Sequence, residues 1–495
     1  MTINSISSST SSIVQSLLDM RTQFDDLQRQ LSTGQKSATY AGLGSGRGLA
    51  VSLNSQMSAI TGFDNSIDMI GTRLQLAQTS LGGMATIGNQ MKALVVQGGA
   101  TGGNANSAQL TAQSSLQQLL GLLNTQAGGR YLFSGRATDQ PSVETYDHIV
   151  NGDGARAGLK QLIDERSQAD LGANGLGRLT VGGTASSVTL DEDAGPFGLK
   201  LASASSNLSN ATVSGPTGSP ANVTVNFTGQ PSDGDTLTLR LNLPDGTTAN
   251  LTLTATTQSP PGTNQFTIGS STAATVSNLQ GALSTALGGL AGSSLKAASA
   301  VAASNDFFSA DLNNPPQRVA GPPFNTATAM TAGTTANTVV WYTGDAGTDP
   351  ARDTATTRID PALVVAYGAR ANETGLRTLV QNVATLAAVT ISPSDPNLTN
   401  FTAALSQRVG TGLTGTPGQQ SVTDIEAELA GTQTTMASVK DRHAQTSATL
   451  SDMLQQISGV SNEEVGAQIL TLQTRMQASM QTTAMMYQLS LTKFI

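Results

Sequence analysis

Residues 422–460 read VTDIEAELAGTQTTMASVKDRHAQTSATLSDMLQQISGV. Val422, Ile425, Leu429, Thr432, Met436, Val439, His443, Thr446, Leu450, Met453, Ile457 and Val460 recur at steps that alternate three and four. Such spacing is the a/d seam of a helix that lies along a partner helix. Thr423 and Glu426 stand at capping-box spacing and predict where it starts. Ser461 and Glu464 repeat that spacing, so a second helix starts there. It carries Val465, Ile469, Leu472, Met476, Met480, Tyr487, Leu491 and Phe494.

The opposite end of the chain has the same rhythm. Ile3, Ile6, Thr10, Ile13, Leu17, Met20, Phe24, Leu27 and Leu31 again alternate three and four. Gly34 follows, suited to a left-handed helix cap. After a glycine-rich loop at 40–48 a longer stripe runs through Leu53, Met57, Ile60, Phe63, Ile67, Ile70, Leu74, Ala77, Leu81, Met84, Met91 and Val95. At about 1.5 Å per residue it makes a helix about 60 Å long. A helix that long without internal breakers needs a partner along its length. The other end of the chain supplies one. Ile60, Ile67, Ile70, Leu74 and Leu81 are therefore expected in one antiparallel seam with Ile425, Leu429, Met436, Val439, Leu450, Met453 and Ile457.

Between these helical arms the period changes to two. Val223, Val225 and Phe227 alternate, as do Leu237, Leu239, Leu241 and Leu243, and Leu251 and Leu253. Alternation marks half-buried strands, and Pro244-Asp245-Gly246 reads as a hairpin turn. One helix is expected near Val276, Leu279, Leu283 and Leu287, and another through Leu376, Leu379, Val383 and Leu386. The expected fold class is α+β: a long antiparallel helical coiled-coil rod formed by both termini, with an inserted β-rich outer domain. The expected division is 1–45 with 460–495 as a terminal assembly domain, 46–140 with 366–459 as the helical rod, and 141–365 as the insert.

Composition narrows the functional classes. The chain has 495 residues, 12% of them charged, and a net charge of −8. No Lys/Arg-rich run offers a nucleic-acid footprint or a site for an anionic membrane surface. Cys is absent, which removes disulfides, thiolate metal sites and cysteine nucleophiles together. No apolar run approaches the length of a membrane-spanning helix. Residues 1–10 are polar, which predicts no cleavable secretory signal.

No catalytic constellation emerges. His148 and His443 are the only histidines, and His443 sits on a seam position, where a packed core histidine is the expected reading. Gly42, Gly44, Gly46 and Gly48 fit neither a dinucleotide nor a P-loop pattern. Asp191-Glu192-Asp193 reads as a solvated loop rather than a calcium site. The expectation is no enzyme, no cofactor and no metal. The Met-rich stretch Met476, Met480, Met485, Met486 suits adaptable packing against neighbouring subunits.

Leu31-Ser32-Thr33-Gly34 and the closing Gln488-Leu489-Ser490-Leu491 resemble the flagellin superfamily. Gly129-Arg130-Tyr131-Leu132-Phe133-Ser134-Gly135, and the ending Ser490-Leu491-Thr492-Lys493-Phe494-Ile495, are similar to its hook–filament junction branch, the hook-associated protein 3 family. The likeness covers about residues 1–140 and 365–495. An acidic run usual after the LSTG motif is replaced by the glycine loop at 40–48, and the insert is longer than in compact members. The resemblance implies an extracellular structural subunit of the flagellum, exported without a cleavable signal. Implied partners are copies of itself, neighbouring hook-associated and flagellin subunits, and an export chaperone, with no nucleic acid and no membrane. It assigns assembly to Ile3, Ile6, Ile13, Leu17, Met20, Phe24, Leu27, Leu31, Val465, Ile469, Leu472, Met476, Met480, Tyr487, Leu491 and Phe494. A filament subunit, and a secreted enzyme or adhesin acting through 141–365, remain as alternatives.

Overall fold

The computed structural model describes residues 3–98 and 102–491, and the side chains of all of these except 3–10, 103, 487 and 489–491. Phe494 and the side chains of Ile3, Ile6, Tyr487 and Leu491 lie outside the described residues. The helices, in chain order, are α1 (Ile3–Thr33), α2 (Arg47–Val96), α3 (Ala105–Leu123), α4 (Tyr146–Asn151), α5 (Leu159–Leu171), α6 (Thr272–Leu290), α7 (Lys296–Ser309), α8 (Thr374–Ala388), α9 (Leu398–Thr414), α10 (Val422–Ser458) and α11 (Asn462–Leu491). The strands are β1 (Gln126–Ala127), β2 (Arg130–Tyr131), β3 (Leu179–Gly183), β4 (Ser187–Glu192), β5 (Lys200–Ser206), β6 (Ala211–Thr217), β7 (Asn222–Phe227), β8 (Thr236–Asn242), β9 (Thr248–Thr256), β10 (Gln265–Thr267), β11 (Arg318–Val319), β12 (Met330–Thr331), β13 (Thr356–Asp360) and β14 (Leu363–Ala366). The class is α+β, with long helices from both ends of the chain and several sheets in the middle.

The chain separates into two compact units. The first holds residues 1–71, 357–364 and 434–495. The second holds 72–356 and 365–433. One break falls between Val364 and Val365, but none falls at 141, where the period also changes. The physical reason is α8. Its Leu376, Val380, Val383, Ala384, Ala387 and Ala388 are all buried, because α3, α7 and α9 pack around it. Since α7 belongs to the middle of the chain, that middle closes the same core as α3 and α8.

In the first unit α1 packs on α11. The two meet at a crossing where the Lys36 N–H donates to the Ser458 carbonyl (2.7 Å) and the Val460 N–H to the Gly34 carbonyl (3.0 Å). Gly34 closes α1 at φ +67°, in the left-handed region where Cβ is penalised. Because α1 runs into this crossing and α11 runs out of it, the pair is antiparallel. Ser461 caps α11, accepting from the Glu464 N–H at 3.4 Å. The start of α10 lies in the second unit and departs from expectation. Its capping box is Ser421 with Asp424, not Thr423 with Glu426. The Asp424 N–H donates to Ser421 Oγ (3.2 Å) and the Ser421 N–H to Asp424 Oδ2 (2.8 Å).

In the second unit two four-stranded sheets, in the orders β3-β4-β7-β6 and β10-β9-β8-β5, share one apolar core with Leu279, Leu283 and Leu287 of α6. The β8–β9 hairpin turns at Asp245-Gly246, with Asn242 opposite Thr248. Helix α9 buries the stripe Phe401, Leu405 and Val409, and α5 buries Leu159, Leu162 and Ile163. Helix α7 instead uses small residues: Ala297, Ala298, Ser299, Ala300, Ala303 and Ser304 are buried. Trp341 is fully buried, donates from Nε1 to the Phe308 carbonyl (3.0 Å), and meets the Phe308 ring edge-on.

Candidate assembly interface

The α1–α11 pair has a thin core. Leu27, Val465 and Leu472 are buried, and Met20, Phe24, Val460, Ile469 and Met476 pack half-buried around them. Ile13 and Leu17 are also only half-buried. Thus most of the seam expected from the sequence lies on one side of the pair, yet stays partly open to solvent.

Three seam residues are exposed in the single chain. Leu31 is 43% exposed, because α11 begins at Asn462 and offers only Val460 and Ser461 beside the end of α1. Met480 is 51% exposed. The inward face of α11 steps from Met476 to Ser479 and then Thr483, both half-buried, so Met480 falls one residue off it. Met453 is 45% exposed, and the half-buried Leu454 takes its place. A straight helix drifts about 20° per heptad against a 3.5-residue repeat, so a strict heptad count ends one residue early after four heptads.

The other seam residues are placed unit by unit. In the first unit Ile67, Ile70, Met436, Val439 and Leu450 are buried, with Ile60 and Ile457 half-buried. There α2 and α10 run antiparallel: His443 Nδ1 lies 2.7 Å from Asp64 Oδ1, and Lys440 pairs with Asp68. His443 is 4% exposed and also approaches Asp360 of the β13–β14 hairpin at 3.5 Å. It ties three segments together. In the second unit Leu74, Leu81, Ile425 and Leu429 are buried.

The GRYLFSG run proves structural. Gly128 and Gly129, at φ +61° and +75°, form the tight turn between β1 and β2, a conformation that favours glycine. Phe133 is fully buried. The segment then pairs with the chain where it returns from the sheets: the Gly135 N–H donates to the Ala369 carbonyl (3.0 Å), and the Ala371 N–H to the Phe133 carbonyl (2.8 Å). Nearby, Arg370 pairs with Asp345 (3.1 Å) and Arg352 with Glu373 (2.6 Å) and Glu428 (2.8 Å). Burial raises the Glu373 carboxyl above its ordinary value, against the opposing pull of Arg352. No sequence signal marked this network, because partners such as Arg352 and Glu428 stand 76 positions apart.

Asp191 and Asp193 are exposed and meet Asn222 and Arg178, while the half-buried Glu192 accepts from the Leu201 N–H. Among the described residues no group of three potential ligands is placed to hold a metal, and no helix is long and apolar enough to cross a membrane.

The distribution of exposed apolar residues separates the two units. Val14, Leu18, Leu31, Tyr40, Leu49, Val51, Met69, Val364, Met453, Leu470, Met480, Met485 and Met486 are exposed in the first. In the much larger second unit, only Val96, Leu110 and Leu312 are comparably exposed among the described residues. A concentration of this kind marks an interaction surface. Residues 3–138 match the family described as the bacterial flagellin N-terminal helical region. The match supports a place in the flagellin superfamily, and with it a structural, self-assembling role in the flagellum. No curated protein matches the chain.

Proposed function

We propose that this chain is the junction subunit that joins hook to filament, assembling through α1 and α11. The observation that carries the assembly reading is the apolar excess of the first unit: a three-residue buried core flanked by half-buried and exposed Leu, Val and Met. Such a pair gains little by folding alone and much by being covered, since each fully buried aliphatic side chain is worth about 1.5–3 kcal/mol. Neighbouring copies, hook-associated subunits and flagellin are the proposed covering partners, outside the cell. An export chaperone would cover the same surface before export. The junction rather than the filament role rests on Gly129–Gly135 and on the closing Ser490-Leu491-Thr492-Lys493-Phe494-Ile495.

Deletion of the gene tests the reading. A junction subunit predicts hooks without filaments, with flagellin shed into the medium. Hooks still bearing complete filaments would exclude it. Loss of the filament with no flagellin released would favour the second reading, a filament subunit, which the same apolar surface also suits.

A further inference from the structure

In the first unit both nitrogens of the buried His443 ring face carboxylates from other segments. Nδ1 lies 2.7 Å from Asp64 Oδ1 of α2, and Nε2 lies 3.5 Å from Asp360 Oδ2 at the turn of the β13–β14 hairpin. The other charges around the ring are already paired. Lys440 of α10 meets Asp68 of α2, and Arg442 of α10 meets the same Asp360 Oδ2 at 2.6 Å. Arg442 holds the Asp360 carboxyl below its ordinary range, helped by the Ala362 N–H that donates to Oδ1 at 3.3 Å. The Phe63 ring, 6.1 Å away, adds only an apolar neighbour. An ionised carboxylate accepts and cannot donate. A neutral imidazole has one N–H and one bare nitrogen, whereas the imidazolium has two N–H groups. Only the imidazolium can therefore present a proton to Asp64 and to Asp360 at once. When neutral, the ring keeps its proton on Nδ1 for the nearer Asp64, and the lone pair of Nε2 faces Asp360.

We propose that His443 is a pH-sensitive latch that holds the tip of the β13–β14 hairpin when charged and releases it when neutral. Histidine is the side chain whose charge changes between about pH 5 and 8. The latch is closed at the acid end of that range and weakens as pH rises. The tip, residues 357–364, belongs to the first unit with Asp64 and His443. It carries Ile359, which is fully buried, and Val364, which is 52% exposed. Release of the tip uncovers Ile359 and so adds apolar surface to the unit that already exposes most of it. The latch does not depend on the junction reading above.

His148 and His443 are the only histidines, so full-length His148→Gln leaves His443 as the single reporter. Nitrogen-15 NMR of its ring reads the charge and the tautomer. Hydrogen exchange of residues 357–364, corrected for the intrinsic effect of pH, reads the opening. The latch predicts a doubly protonated ring at about pH 5 and an Nδ1–H ring at about pH 8. Tip exchange rises in step by roughly tenfold, the scale of one lost hydrogen bond to a charged group. His443→Gln cannot titrate, and its tip exchange is equal at both ends of the range. Asp360→Asn is the second variant, at a half-buried site. Its amide can turn an oxygen to N–H or an NH2 to a bare nitrogen, so it too loses the pH dependence. A ring that is neutral at the acid end, tip exchange that stays constant in the parent, or variants that keep the parent's pH dependence would each overturn the latch.

Discussion

Leu18→Ser separates assembly from folding. Leu18 lies on α1 beside the seam and is 53% exposed in the single chain. Burying a whole leucine is worth about 1.5–3 kcal/mol, so covering its exposed half adds about 0.8–1.6 kcal/mol. Removing it therefore raises the critical concentration roughly four- to fifteen-fold, since about 1.4 kcal/mol is tenfold. The monomer barely responds, because substitutions at exposed sites stay within about 0.5 kcal/mol. Leu472→Ala is the control. Leu472 is 5% exposed, and truncating a buried leucine costs about 2–5 kcal/mol. The low end applies here, because a core of three buried residues collapses easily around the gap. Sedimentation of polymer at graded concentrations reads the first effect, and thermal melting by circular dichroism the second. If Leu18→Ser lowers melting as much as Leu472→Ala does and leaves assembly unchanged, α1 is covered within the chain and the argument from exposure fails.

Leu429→Asp places a carboxylate at a fully buried position, which costs several kcal/mol, and should leave the second unit unfolded by circular dichroism at 25 °C. A cost within about 0.5 kcal/mol would show a surface site. Joining residue 140 to 366 through a Gly/Ser linker strips α7 from α8 and should lose the helicity of α8, whereas a separable insert would leave it intact. Burial raises the Asp306 carboxyl above its usual range, opposed by the Gln317 N–H at 2.7 Å and by Arg166. A raised folded value means the charged form is disfavoured, so the penalty is absent at low pH and grows as pH rises through that value. Asp306→Asn should melt like wild type near pH 3.5 and higher than wild type at pH 7; a difference that shrinks as pH rises would reverse the sign.

The long helices were legible because their apolar residues follow the helical period for four heptads or more. The hairpin at Asp245-Gly246 was legible because alternation flanks a glycine held at φ +82°. Helix α7 was not, because it packs through alanine and serine and leaves no hydrophobic stripe to count. Met453 shows the limit of a strict heptad: the drift of a real helix moves the seam to Leu454. The apolar seam of α1 and α11 could be read from spacing, but its half-open state could not, since that depends on how few partners the single chain provides.

The most direct test of the junction reading is the stoichiometry and position of this chain in isolated flagella, by quantitative mass spectrometry together with immunogold labelling. The account predicts label confined to a short ring at the hook end, with this chain far outnumbered by the filament subunit. Label along the whole filament, with this chain as its bulk protein, would contradict it.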